Sequence, residues 1–84
     1  MKLITFTQGT DPRCGLALSD TIGIDLPKAD PTLPPNWHAL LPDMTGVRRV
    51  WDEQSPQLEA MEGMRAAGNP LPSPFFDLSR ATLL

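Results

Sequence analysis

Cysteine and histidine occur once each in the 84 residues, as Cys14 and His38. A single cysteine excludes an internal disulfide. One cysteine and one histidine also fall short of the ligand set of a structural zinc site. Positive charge is scarce: seven Lys and Arg stand against ten Asp and Glu, for a net charge of −3. A nucleic-acid binder needs a basic stripe, and the pair Arg48-Arg49 is too short to track a phosphate backbone. No apolar run approaches the roughly 20 residues of a membrane span. The opening Met1-Lys2-Leu3-Ile4-Thr5-Phe6-Thr7 has neither the long apolar stretch nor the small-residue cleavage site of a secretory leader. A lone free thiol suits a reducing compartment. These absences together predict a cytoplasmic protein that contacts neither nucleic acid nor membrane.

Shortness has its own consequence. A chain of this length buries only about 60–65% of the surface its unfolded form exposes, so its core is thin. Domains of this size lean on a disulfide, a metal or a partner. With the first two excluded, the expected support is a protein partner, self-association or a further piece of chain.

What the sequence does contain is strand-like at the start and helical in the middle. Leu3 to Thr7 is rich in β-formers. Gly9-Thr10-Asp11-Pro12 clusters turn residues. In the next stretch Leu16 and Leu18 alternate with Gly15 and Ala17, and Ile22 and Ile24 alternate with Gly23 and Asp25. That period of two predicts strands near 13–18 and 21–26 with one face buried, with Gly15 as an interruption. The short Ser19-Asp20 link makes them an antiparallel hairpin. Pro27, Pro31, Pro34 and Pro35 each remove a donor and fix φ, so residues 27–35 are expected to be an extended crossing without helix.

Residues 36–68 read as helix in pieces. Asn36 is placed to cap a turn that Pro42 ends. Asp43 is placed to cap a second segment whose Met44, Val47, Val50 and Trp51 share an apolar face. Ser55-Pro56 reads as a fresh start, and Gly68-Asn69-Pro70 as a stop. After a second Pro-rich loop at 69–74, a single strand is expected near 76–83. The final Leu83-Leu84 is unlike a frayed polar terminus, and the element is expected to continue into further chain. The fold class is therefore α+β: one small domain, an antiparallel sheet with strands near 2–7, 13–18, 21–26 and 76–83, packed with short helices between 36 and 68.

Candidate chemistry is sparse. Cys14 with His38 could form a nucleophile and base, but a cysteine inside an apolar strand behaves as a small buried hydrophobe, and His38 has no second ligand at helical spacing. Asp52 and Glu53 are adjacent and diverge by about a hundred degrees on a helix. Glu59 and Glu62 share a face that reads as a solvated helix surface. Gly9, Gly15 and Gly23 lack the spacing and following helix of a phosphate loop. Met44, Met61, Met64, Trp37 and Trp51 read as core or as a docking face. No catalytic, cofactor-binding or metal-ligating residue is assigned.

The order of features nevertheless resembles the N-terminal domain of bacterial fumarylacetoacetate hydrolase family proteins. The opening Met1-Lys2-Leu3-Ile4-Thr5-Phe6, the Arg13-Cys14-Gly15-Leu16-Ala17-Leu18 strand and the Thr21-Ile22-Gly23-Ile24-Asp25-Leu26 strand carry the resemblance. A Pro-rich crossing, short helices and Leu71-Pro72 leading into Phe76-Asp77-Leu78-Ser79-Arg80-Ala81-Thr82-Leu83-Leu84 follow in the family's order. The resemblance implies a larger catalytic domain beyond this chain. That domain would hold a divalent metal (Mg, Mn or Ca) on two Glu and one Asp, with a His/Glu pair to activate water. It would act on 2-keto or β-diketo acids by C–C bond hydrolysis, decarboxylation or isomerisation. Nothing in residues 1–84 matches the family's Glu-x-Glu motif, so no ligand or catalytic role is carried onto this chain. The expected role is non-catalytic support of that domain. The alternative is a free-standing interaction module with an apolar Met/Trp/Leu face.

Overall fold

The computed structural model describes residues 2–9 and 11–84. Met1, in the opening run of the resemblance, and Thr10, in the expected Gly9–Pro12 turn, lie outside the described residues. Five strands and four α-helices follow one another: β1 (Lys2–Thr7), β2 (Arg13–Ala17), β3 (Ile22–Asp25), α1 (Leu26–Ala29), α2 (Trp37–Leu40), α3 (Thr45–Gln54), α4 (Leu58–Ala66), β4 (Phe75–Asp77) and β5 (Thr82–Leu83). A 3-10 turn, Ser55–Gln57, joins α3 to α4, and another, Leu78–Arg80, joins β4 to β5. The strands form one antiparallel sheet in the order β4-β3-β2-β1-β5. This is the expected α+β class.

The cross-strand register decides which side chains share a face. Ile4 pairs with Gly15, Gly15 with Asp25, Ala17 with Gly23, and Gly23 with Phe76. That set, with Phe6, lines one face and forms a small core of Ile4, Phe6, Ala17, Phe76 and Leu78. The opposite face carries Cys14, Leu16, Ile22, Ile24 and Phe75, which pack with Leu26, Leu40, Val47, Val50 and Met61 from the helices. The hairpin is therefore buried on both faces, not on one as the alternation predicts. The second core escaped notice because its positions on β2 and β3 are Gly15, Ala17, Gly23 and Asp25, a set too small or polar to read as an apolar face.

Those glycines are seats for aromatic rings. Phe6 and Phe76 stack with centroids 4.3 Å apart and planes 23° apart, although β1 and β4 are separated by two strands. In a flat sheet their backbones would stand about 14 Å apart. The sheet curls over this face to bring the rings together, and a Cβ at Gly23 would lie 2.5 Å from Phe76 Cζ. A Cβ at Gly15 would lie 2.8 Å from Phe6 Cε1 and 2.6 Å from the Ile24 carbonyl oxygen. The same curl explains the last ten residues. The expected single strand near 76–83 is instead two short strands on opposite edges of the sheet. A flat five-stranded sheet would hold its outer strands about 19 Å apart, beyond the reach of residues 78–81, whose link spans at most about 17 Å. Curling closes that gap, and Asp77 starts the 3-10 turn by accepting the Ser79 N–H at 3.0 Å.

The helices follow their local signals with three corrections. Residues 27–35 were expected to hold no helix, yet α1 begins at Leu26. Pro27 occupies a first-turn position, where its missing N–H costs nothing, and Asp25 accepts the Lys28 N–H at 3.4 Å. Ser55-Pro56 marks a bend and not a fresh cap: the Ser55 N–H still donates to the Trp51 carbonyl and its side chain caps nothing. Asp43 is not the cap of α3: the N-cap is Met44, which has no side-chain cap, and Asp43 Oδ1 accepts the Thr45 N–H at 3.0 Å from one residue further out. The other signals hold. Asn36 caps α2, its Oδ1 accepting the Ala39 N–H at 2.9 Å. Gly68, at φ +77°, ends α4 with a Schellman pair, Gly68 N–H to Arg65 and Asn69 N–H to Met64.

Glycine substitutions separate these roles. Gly15→Ala meets a backbone oxygen as well as a ring and is expected to cost about 2 kcal/mol or more in urea unfolding. Gly63→Ala, exposed in α4 with nothing within 4 Å of the new methyl, is expected to stabilise by up to about 1 kcal/mol. Equal effects at the two positions would contradict the seat.

Candidate functional site

The residues that sequence reading singled out for chemistry do not come together. Cys14 is buried in the helix-side core, its Sγ 3.9 Å from the Pro34 carbonyl oxygen, and burial pushes its thiol pKa above the ordinary value. His38 is exposed on α2. Asp52 and Glu53 on α3, and Glu59 and Glu62 on α4, are exposed. Among the described residues no group of three His, Cys, Asp or Glu could hold a metal ion. No helix among them is long and apolar enough to cross a membrane. Met61 is buried, and Met44, Met64, Trp37 and Trp51 are half-buried against the same core. The Met/Trp set is thus mainly core, leaving little of it for a docking face.

Four of the residues that carry the family resemblance, Arg13, Gly15, Asp25 and Leu26, have structural roles. Asp25 is only 2% exposed, and its carboxylate receives the Arg13 guanidinium as a fork, Nε to Oδ2 at 2.7 Å and Nη2 to Oδ1 at 3.1 Å. A buried carboxylate without such a partner would be strongly destabilising, so Arg13 and Asp25 form a unit across β2 and β3. Gly15 lies beneath Phe6, and Leu26 is fully buried.

Two surface features remain. The first is apolar. Leu3, Leu41, Leu83 and Leu84 are 40%, 57%, 52% and 67% exposed, and all four line one groove of about 350 Å³ with Ile4, Thr5 and Trp37. Single exposed leucines are ordinary on a protein surface; four converging on one groove make a patch of the kind that marks interaction sites. The groove sits where β5 borders β1. The Leu84 N–H donates to the Thr5 carbonyl at 2.9 Å, and the Trp37 indole N–H donates to the Ile4 carbonyl at 2.9 Å. Tertiary pairing thus brings residues 3, 41, 83 and 84 to one place; in the sequence only Leu83-Leu84 stood out.

The second feature is polar: a cleft of about 460 Å³ between β4, the end of α4 and the loop 68–74. Its wall is braced by Asp77, which accepts from Ser79 Oγ at 2.6 Å and from Arg65 Nε at 3.1 Å, with Arg80 Nε 3.8 Å away. The Ser79 hydroxyl first, and the Arg65 guanidinium with the Ser79 N–H, hold the Asp77 carboxyl below its ordinary 3.8. Asp30 is lowered by Thr32 and Arg49, and Asp43 by Thr45. Nothing local in the sequence announces this cleft, because its parts lie far apart along the chain.

Comparison of the chain with protein-family models, curated proteins and solved structures returns no match.

Two measurements probe these assignments. A carboxyl whose folded pKa lies below its unfolded value stabilises the fold above the unfolded pKa, and that contribution disappears as pH falls toward the folded one. The urea midpoint is therefore expected to hold from pH 7 to 5 and to drop below about pH 4, with Asp77→Asn flattening part of the drop and costing about 1 kcal/mol at pH 7. Cys14 is expected to react with a disulfide reagent far more slowly in buffer than in denaturing urea. Equal rates would contradict its burial.

Proposed function

We propose that this chain is a non-catalytic supporting domain of a fumarylacetoacetate hydrolase family enzyme acting on 2-keto or β-diketo acids in the cytoplasm. It docks onto the catalytic domain through the groove of Leu3, Leu41, Leu83 and Leu84. The observation that carries the reading is the convergence of those four exposed leucines at one sheet edge. A thin-cored domain gains the support it lacks by covering such a patch. The roles of Arg13, Gly15, Asp25 and Leu26 are consistent with this reading, since these four residues maintain the fold. In this reading the divalent metal and the water-activating pair belong to the catalytic domain, and this chain binds neither.

The alternative function, a free-standing interaction module, would use the same groove. Its face would be made of leucines and the edge of Trp37, with the methionines kept in the core.

The decisive experiment purifies the full-length gene product from its native cell and determines its intact mass and peptide sequence. The expected result is a catalytic polypeptide of roughly 200 residues bearing a Glu-x-Glu motif, covalently continuous or tightly associated. For a separate polypeptide, Leu3→Asp with Leu83→Asp should release it while leaving the circular dichroism spectrum unchanged. Recovery of a lone monomer would overturn the reading. A partner or second copy without any metal-binding carboxylate set would instead favour the interaction module.

A further inference from the structure

We propose that the cleft beside β4 binds a small oxyanion, a carboxylate or a phosphate. Three of the chain's seven cationic residues, Lys28, Arg65 and Arg80, line this one cleft, although the chain carries a net charge of −3. They lie on α1, on α4 and in the turn after β4, so only the fold assembles them.

The charge balance inside the cleft is positive. Two carboxylates also line it, Asp25 and Asp77. Both oxygens of Asp25 are occupied by the Arg13 fork, and Arg13 is not among the lining residues. That leaves Asp77 alone against three cations. Asp77 engages Arg65 through Nε at 3.1 Å, while Arg80, with an 85% exposed side chain, approaches it only to 3.8 Å. Among the described residues Lys28 has no ion-pair partner.

The geometry suits an oxyanion on a compact body. Arg65 is pre-positioned because Asp77 and Ser79 hold Nε and Nη2 from one side. A fixed guanidinium loses little freedom on binding and presents a planar fork to a carboxylate or phosphate. Lys28 and Arg80 supply mobile charges at the rim. Leu71, Phe75 and Phe76 also line the cleft. Its volume of about 460 Å³ lies within the range of small-molecule sites. At the C-terminal end of α4 the carbonyls of Met64 and Arg65 accept from Asn69 and Gly68, which ties up two of its end carbonyls.

The test titrates succinate and, separately, inorganic phosphate into the isotopically labelled full chain at constant ionic strength, following backbone amide shifts. Saturable shifts at Lys28, Arg65, Asn69 and Phe76 are expected with at least one probe. The probe that saturates identifies the ligand as carboxylate or phosphate. Lys28→Gln and Arg80→Gln, both at exposed positions, are each expected to weaken binding about tenfold, the loss of one charge-assisted contact. Arg48→Gln, an exposed cation outside the cleft, should leave binding unchanged. The proposal fails if neither probe gives saturable shifts at the cleft. It also fails if the double variant Lys28→Gln/Arg80→Gln binds as the parent does, or if Arg48→Gln weakens binding equally.

Discussion

The stack of Phe6 on Phe76 sets the shape of this domain. Two rings from strands that are not neighbours meet at 4.3 Å only because the intervening positions, Gly15 and Gly23, have no side chain to keep them apart. The sheet must curl to close that distance. The curl brings its two edges within reach of a four-residue link, so that β4 and β5, close in sequence, end on opposite sides. Both surface features descend from this. The leucine groove exists because β5 lands beside β1, and the polar cleft exists because β4 and its following turn face the end of α4.

Polar groups reinforce the same arrangement. The Arg13–Asp25 fork ties β2 to β3 in the curled region and satisfies a carboxylate that burial would otherwise penalise. Asp77 gathers Arg65 and Ser79 and so pins α4 to the turn after β4. The polar side chains with the closest contacts are thus committed to holding elements together. What is left for function is surface: an apolar patch suited to a protein partner, and a cationic cleft with partly unspent charge.

Much of the fold was legible residue by residue. The strands at 2–7, 13–18 and 21–26, the cap at Asn36, the face of Val47 and Val50, and the stop at Gly68 all rest on interactions between near neighbours, which leave a periodic or capping signature. The largest departures fall where distant residues decide. Gly15 reads locally as an interruption of a strand, and only Phe6 above it gives the position its role. Residues 75–84 looked like one strand because their composition suits a strand throughout, and only the closure of the sheet requires a break at Leu78–Arg80. Pro27 is a local departure: proline bars a helix interior, but the first turn of α1 accepts it.

Sequence by itself therefore determined the class of the protein, its element types and most of their ends, because propensity, period and capping act over a few residues. It also determined that one cysteine and one histidine could not staple the core. The tertiary structure alone decided that both sheet faces are buried, that Cys14 and His38 stand in different environments, and that four leucines and three cations form two separate surfaces. Those outcomes depend on register and curvature. One pair of rings and two missing side chains set the curvature, and no local pattern encodes the distance between them.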